Sequence, residues 1–215
     1  MNFWEYLGEH HRQLLTDAGR HAAVVLPCTV AATVLGVLIG VAAHRGARAG
    51  ALAANATAAL SAVPALAVIG LLVPVAGPGL PPTVTALTLL GLVPVARSAV
   101  VGLRGVDPAL LDAADGIGMS RPARLARVEL PLAWPAVLTG IRGATRTLTG
   151  VAALAACVSG PGLGNPILRG IASPDGGDAL AQVLAGTLGI VVLALLLDAA
   201  YVLVGRLTVP GGIRA

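Results

Sequence analysis

The sequence predicts an all-α polytopic membrane protein with about five transmembrane helices, an N-terminal amphipathic helix and one long charged loop facing the cytoplasm. Three observations carry this reading. The chain is 56% hydrophobic and only 11% charged, against about 25% charged residues in soluble domains. Its apolar runs are near or above the ~20 residues that a helix needs to cross the hydrocarbon. Its arginines collect on one set of connections, as membrane topology requires. A soluble protein with so apolar a core would need a charged face on every helix, and those faces are missing.

In chain order, residues 2–20 read as an amphipathic helix. Phe3, Trp4, Leu7, Leu14 and Leu15 fall on one stripe, with Glu5, Glu9, Arg12, Thr16 and Arg20 elsewhere. Trp4 and Tyr6 suit the headgroup zone. A cleaved signal peptide is not expected, because the start carries Glu5 and Glu9 and the following apolar run is too long for an h-region. Residues 1–21 are thus an interfacial helix, 22–207 the transmembrane unit and 208–215 a cytoplasmic tail. Spans are expected at about 22–43, 51–75, 84–103, 134–158 and 179–204. A Gly/Pro/Asp-rich connection fills 159–178. Pro and Gly within the spans, such as Pro27, Pro64, Pro94, Gly36, Gly40, Gly70 and Gly91, read mostly as close-packing positions.

Alternate connections share a side of the bilayer. One side receives Arg45, Arg48, Arg104, Arg121, Arg124, Arg127, Arg206 and Arg214, the other Arg12, Arg20 and Arg169. The positive-inside rule makes the first side cytoplasmic, which puts the N-terminus outside and the C-terminus in the cytoplasm.

Residues 107–131, DPALLDAADGIGMSRPARLARVELP, are the one long charged interruption. Asp107 is a good N-cap and Pro108 loses no hydrogen bond at the first helical position. A helix over 109–115 should fail at Gly116 and Gly118. Ser120 can cap a second helix, with Pro122 tolerated in its first turn and Arg121, Arg124 and Arg127 forming a basic flank. Pro131 should stop that helix before the fourth span. The product is a two-helix knob held between two spans, suited to docking on a partner.

At these residues the chain resembles a known family. Membrane subunits of ABC importers carry a cytoplasmic loop patterned Glu-Ala-Ala, three residues, Gly, nine residues, Ile, one residue, Leu-Pro. Here Asp112-Ala113-Ala114, Gly118, Val128 and Leu130-Pro131 stand in that register. The resemblance implies a bacterial inner-membrane permease whose loop, chiefly Asp112, Ala113, Ala114, Gly118 and Arg121, seats in a groove of ATP-hydrolysing subunits. It also implies an extracytoplasmic substrate-binding protein and a second permease chain as partners. SGPGLGNPILRGI at 159–171, with Gly160, Gly162, Leu163 and Gly164, is similar to the Gly-rich segment of permeases for glycine betaine, carnitine and choline. Methionine-importer permeases share a similar segment and are the rival within the family. A stand-alone channel or secondary transporter is the rival of another class, but its repeated halves are not evident in the sequence.

Charges inside spans mark pairing or functional positions. Arg142 lies about 12 Å from Trp134 along the fourth span, and Asp198 about 12 Å from Arg206 along the fifth. An Arg142–Asp198 pair is therefore expected, with Arg146 as the alternative partner. No enzymatic activity is expected of this chain. It has no Lys, so it cannot supply the GxxxxGK[ST] loop that cradles phosphates, and ATP belongs to the partner subunit. No cofactor is expected. Metal binding is not expected either, since His10, His11, His21 and His44 lack ligand spacing. Cys28 and Cys157 read as two small buried side chains. Nucleic acid is excluded as a partner by scattered arginines and only five aromatic residues. The other partner is the lipid bilayer.

Overall fold

The computed structural model describes residues 2–209, so Arg214 and most of the expected tail lie outside the described residues. Every regular element within them is helical. The longest early element, α1 (Phe3–Ala43), begins at a capping box. Asn2 Oδ1 accepts from the Glu5 amide at 2.9 Å while Glu5 accepts from the Asn2 amide at 3.1 Å. The helix then runs unbroken for 41 residues, about 60 Å at 1.5 Å per residue. The expected interfacial helix and first span are therefore one element. Tyr6, expected at the headgroups, is buried against Ala181 and Ala185 with Phe3 and Leu14 beside it, and Trp4 and Leu15 point outward. This end of α1 packs on the start of the last helix.

The expected second span is two helices, α2 (Ala47–Ala62) and α3 (Ala65–Ala76), bent by 91°. Pro64 causes the break. The residue before a proline is driven out of the α region, and Val63 is extended at φ −80°, ψ 126°. Glycines at positive φ, Gly77 and Gly79, then turn the chain into α4 (Leu80–Arg104). Beyond the charged loop, α7 (Leu130–Val151) continues as a 3-10 stretch over Ala152–Val158, and Cys157 within it is exposed, unlike buried Cys28. The 159–178 connection contains a helix, α8 (Gly164–Ala172), and α9 (Ala179–Thr208) closes the described chain.

Among the described residues, three helices can cross a bilayer by length and composition, α1, α4 and α9, or four when the bent α2–α3 pair is counted as one span. The fourth expected span coincides with α7, which is 22 residues long but less apolar, carrying Arg142 and Arg146. Helix α4 is the centre of the bundle. One of its flanks packs on α1 and the other on α7. Small residues make the approach possible. A Cβ on Gly40 would sit 2.5 Å from the Ala99 Cβ, and one on Gly140 2.6 Å from the Ser98 Cβ. Val95, Ala99, Val137, Ile141 and Ala144 fill the space between. The outward side of α9, including Leu188, Val192, Leu195, Leu196 and Leu203, is apolar and exposed, as a lipid-facing helix should be.

Candidate functional site

The charged loop leaves the end of α4 through Gly105 and builds α5 (Pro108–Gly116). Asp107 Oδ1 accepts from the Ala109 amide at 2.9 Å, which satisfies one of the orphan donors at the helix start. At the other end the Met119 amide donates to Ala114 O at 3.1 Å and the Gly118 amide to Asp115 O at 2.9 Å. That pair of bonds, with Gly118 at φ 77°, is a Schellman C-cap. A side chain at 118 would be strained by the positive φ, so glycine is required there by the backbone alone. The second helix, α6 (Arg121–Arg124), starts at Ser120, whose hydroxyl makes no capping bond.

Pro131 does not stop this second helix. A π-turn over Leu125–Glu129 carries it directly into α7, with the Leu130 amide bonded to Leu125 O. The wider turn accommodates the proline ring, which falls in the first turn of α7. The knob is therefore continuous with a bundle helix on one side and three residues from α4 on the other.

What ties it down is Glu129, which is 1% exposed. Its carboxylate receives Arg124 Nε at 3.1 Å and the Arg45 guanidinium, and His44 Nε2 lies 3.1 Å away. Arg124 reaches on to Asp115 of α5. Arg104 completes the set, donating from Nε to His44 O at 2.9 Å and from a terminal nitrogen to Ala43 O at 3.3 Å, where the last carbonyls of α1 are otherwise open. The ends of α1, α4, α5 and α7 thus meet in one polar network centred on buried Glu129. Arg124 is turned inward and only Arg121 and Arg127 stay exposed, so the expected flank of three arginines is a flank of two. Sequence reasoning missed Glu129 and His44. Opposite charges expected on one side of the bilayer were the available clue.

The free side of α5 is apolar at its edges. Leu110 and Ile117 are 47% and 77% exposed. Asp112 and Ala113 are exposed as well, while Ala114 is buried toward the network. Between α5 and the start of α7 lies an open groove of about 490 Å³, lined by Leu110, Ala113, Ile117, Met119, Val128 and Pro131. Helix α5 is thus a capped helix with an exposed apolar edge beside a groove.

The Gly-rich segment is a packing device. Gly162 has φ 122°, and a Cβ there would stand 2.7 Å from His21 Nδ1. His21 is fully buried. Its Nδ1 accepts from the Leu163 amide at 3.3 Å and its Nε2 lies 2.9 Å from Thr149 O, so Nε2 carries the proton and donates. One imidazole links α1, α7 and the segment before α8. Gly164 and Gly160 abut Ala153 O and Ala155, and Asn165 Nδ2 donates to the Gly160 and Gly162 carbonyls at 3.1 and 3.0 Å. In the bundle, Asp198 holds both arginines. Arg142 makes two bonds to it, at 3.1 and 3.0 Å, and Arg146 two at 3.0 and 2.7 Å.

Two solved structures titled as inward-facing conformations of the MetNI methionine ABC transporter share this architecture. One aligns at a TM-score of 0.76 and 20% identity, covering 92% of this chain and 96% of that one. The other aligns at 0.83 and 18% identity, covering 94% and 99%. This chain therefore shares the fold of those two chains. A family model of binding-protein-dependent transport system inner membrane components matches residues 32–209, and this chain belongs to that family. Among its relatives is the osmoprotectant import permease protein OsmW of Salmonella typhimurium, 32% identical over 219 residues and covering 100% of both chains. The glycine betaine/carnitine/choline transport system permease protein OpuCB of Bacillus subtilis is 29% identical over 211 residues, covering 97% of this chain and 94% of that one. The choline transport system permease protein OpuBB of the same organism is 28% identical over 212 residues, covering 98% and 95%.

Proposed function

We propose that this chain is the permease subunit of an ATP-driven importer for osmoprotectant quaternary amines such as glycine betaine, carnitine and choline. The observation that carries the cargo is the end-to-end similarity to permeases named for those compounds. The methionine reading rests on likeness at 18–20% identity, which speaks to architecture and not to cargo. A stand-alone carrier would have no use for a capped docking helix wired to three bundle helices.

In this reading the chain crosses the bilayer with α1, the α2–α3 pair, α4, α7 and α9, its N-terminus outside and its C-terminus cytoplasmic. Two permease chains enclose the pathway, an extracytoplasmic binding protein delivers substrate, and separate ATPase subunits bind and hydrolyse ATP. Helix α5 seats on the ATPase, with Asp112, Ala113 and Arg121 at the contact, Ala114 packed behind them, Gly118 setting the C-cap, and Leu130 and Pro131 opening the helix that receives the movement. When the ATPases close, the Glu129 network makes α5 move with α1, α4 and α7 as one body, which is rigid-body switching rather than bending.

Reconstitution of the permease with its ATPase and binding protein into liposomes tests this. ATP-dependent, saturable accumulation of labelled glycine betaine without accumulation of methionine is the expected result. Accumulation of methionine alone would replace the osmoprotectant assignment.

A further inference from the structure

Three arginines lie within the span-forming part of the bundle, and two of them, Arg142 and Arg146, share Asp198. The third is Arg97 on α4, about 10 Å along the helix from Arg104. Among the described residues no carboxylate lies within ion-pairing distance of Arg97; its partners are two hydroxyls. Nε donates to Thr57 Oγ1 at 3.1 Å and a terminal nitrogen to Ser61 Oγ at 3.4 Å. Both hydroxyls spend their own protons on backbone carbonyls, Thr57 on Ala54 O at 3.0 Å and Ser61 on Thr57 O at 2.7 Å. They orient the guanidinium without neutralising it. Arg97 is exposed on α4, so a guanidinium held only by hydroxyls within a span is open to an anion from outside the chain.

The surroundings say what kind of anion. Arg97 forms part of the wall of two cavities. One, of about 630 Å³, lies at the Pro64 bend and is lined by Ser61, Pro64, Pro94, Ser98 and Thr147. The other, of about 350 Å³, runs between α2 and α4 to Arg104 and is otherwise walled by alanines, valines, Gly50 and Thr57. Arg97 is therefore the residue a solute meets when passing from the bend toward the Arg104 end. Both volumes are in the range of small-molecule sites. Helix α2 ends at Ala62 beside the larger cavity, so the negative end of its dipole opens where Arg97 supplies a positive charge. A positive group and a negative helix end, a few ångströms apart and surrounded by methyls and hydroxyls, complement a small zwitterion.

We propose that Arg97 is a substrate-binding residue of the translocation pathway, holding the carboxylate of a betaine-type zwitterion while the trimethylammonium group lies against the carbonyl end of α2. This rests on the osmoprotectant reading and deepens it. It makes Arg97 count differently for the cargoes: glycine betaine and carnitine bring a carboxylate to its guanidinium, whereas choline brings none and passes without using it.

The test is ATP-driven uptake by the complete transporter, with binding protein and ATPase, in liposomes of phosphatidylcholine alone and with added phosphatidylglycerol. Two variants are compared with wild type, Arg97→Gln, which removes the charge, and Thr57→Asp, which keeps Arg97 but gives it an internal carboxylate. Each is expected to lower glycine betaine uptake about tenfold or more, as loss of a charge-assisted hydrogen bond does, with choline uptake kept or raised, in both lipid mixtures. Arg97→Lys is expected to recover much of the glycine betaine uptake lost in Arg97→Gln. Equal loss for both substrates, or unchanged glycine betaine uptake in both variants, overturns the inference. So does a defect that appears only with phosphatidylglycerol present, which would make Arg97 a lipid-phosphate site. A wild-type transporter that carries neither substrate overturns the osmoprotectant reading first and this inference with it.

Discussion

Replacing Glu129 by Gln is expected to destabilise the permease by about 3–5 kcal/mol, the cost of breaking a buried ion pair from one side. The substitution keeps the shape of the side chain and removes its charge. Arg45 and Arg124 then lose the carboxylate they share, and Arg124 keeps only the exposed Asp115. A lower thermal unfolding midpoint in detergent checks the size of the effect. Its location is checked by hydrogen exchange, which should rise in α5 and at the junction of α1 with the loop, because Asp115–Arg124 alone would tether α5. A variant at a distant exposed site such as Thr187 should move neither quantity.

The second large effect is expected at Gly162. Substitution by Ala places a Cβ at positive φ, worth about 1–2 kcal/mol of strain, and pushes it into His21, an overpacking cost of about 1–3 kcal/mol. The sum, about 2–5 kcal/mol, is large for one methyl group. The clash can be separated from the strain by a double-mutant cycle with His21→Ala. Removing the ring should relieve part of the Gly162→Ala penalty, giving a coupling energy of about 0.5–3 kcal/mol in the stabilising direction. Thermal unfolding of the four proteins measures it. Strict additivity would mean that the imidazole contact contributes nothing to the glycine requirement.

Both residues show where reading the sequence stops. Hydropathy and arginine placement are properties of composition along the chain, so the α-helical membrane fold and the charged loop were legible without coordinates. So were local devices, such as the Asp107 cap, Pro108 at the first helical position and the stop at Gly116–Gly118, because each depends on residues within one or two turns. Proline was ambiguous. Pro27, Pro64, Pro94 and Pro131 carry the same local signal, yet only Pro64 breaks a helix sharply. Pro27 and Pro94 are carried inside α1 and α4, and Pro131 follows a π-turn. Whether a proline kinks or ends a helix is settled by what packs around the freed carbonyl, which is tertiary information.

The long-range contacts were not legible at all. His21 meets Thr149 across 128 positions and His44 meets Glu129 across 85. No periodicity links such residues. In the N-terminal segment the stripe of Phe3, Trp4, Leu7, Leu14 and Leu15 was half right, since Phe3 and Leu14 pack inward while Trp4 and Leu15 are exposed. Burial against α9 selected Tyr6 instead, because Ala181 and Ala185 leave room for a ring there. The intramembrane charges were different. Depth along two helices could be counted from their ends, and counting brought Arg142 and Asp198 level; the doubling by Arg146 followed only from side-chain reach.

The central claim is that α5 carries force between an ATPase and the bundle. Ala113 is the position to probe, since it is exposed beside the groove and faces away from the Glu129 network. Ala113→Arg adds a bulky charge to the contact without touching the caps of α5. The most direct measurement is co-purification of the ATPase subunits with the Ala113→Arg permease, read together with ATP-driven glycine betaine uptake. The account predicts a permease of unchanged thermal stability that has lost its ATPase partner and at least about tenfold of its uptake, as truncating or blocking a central interface position does. A variant that keeps full ATPase binding and full uptake would contradict it.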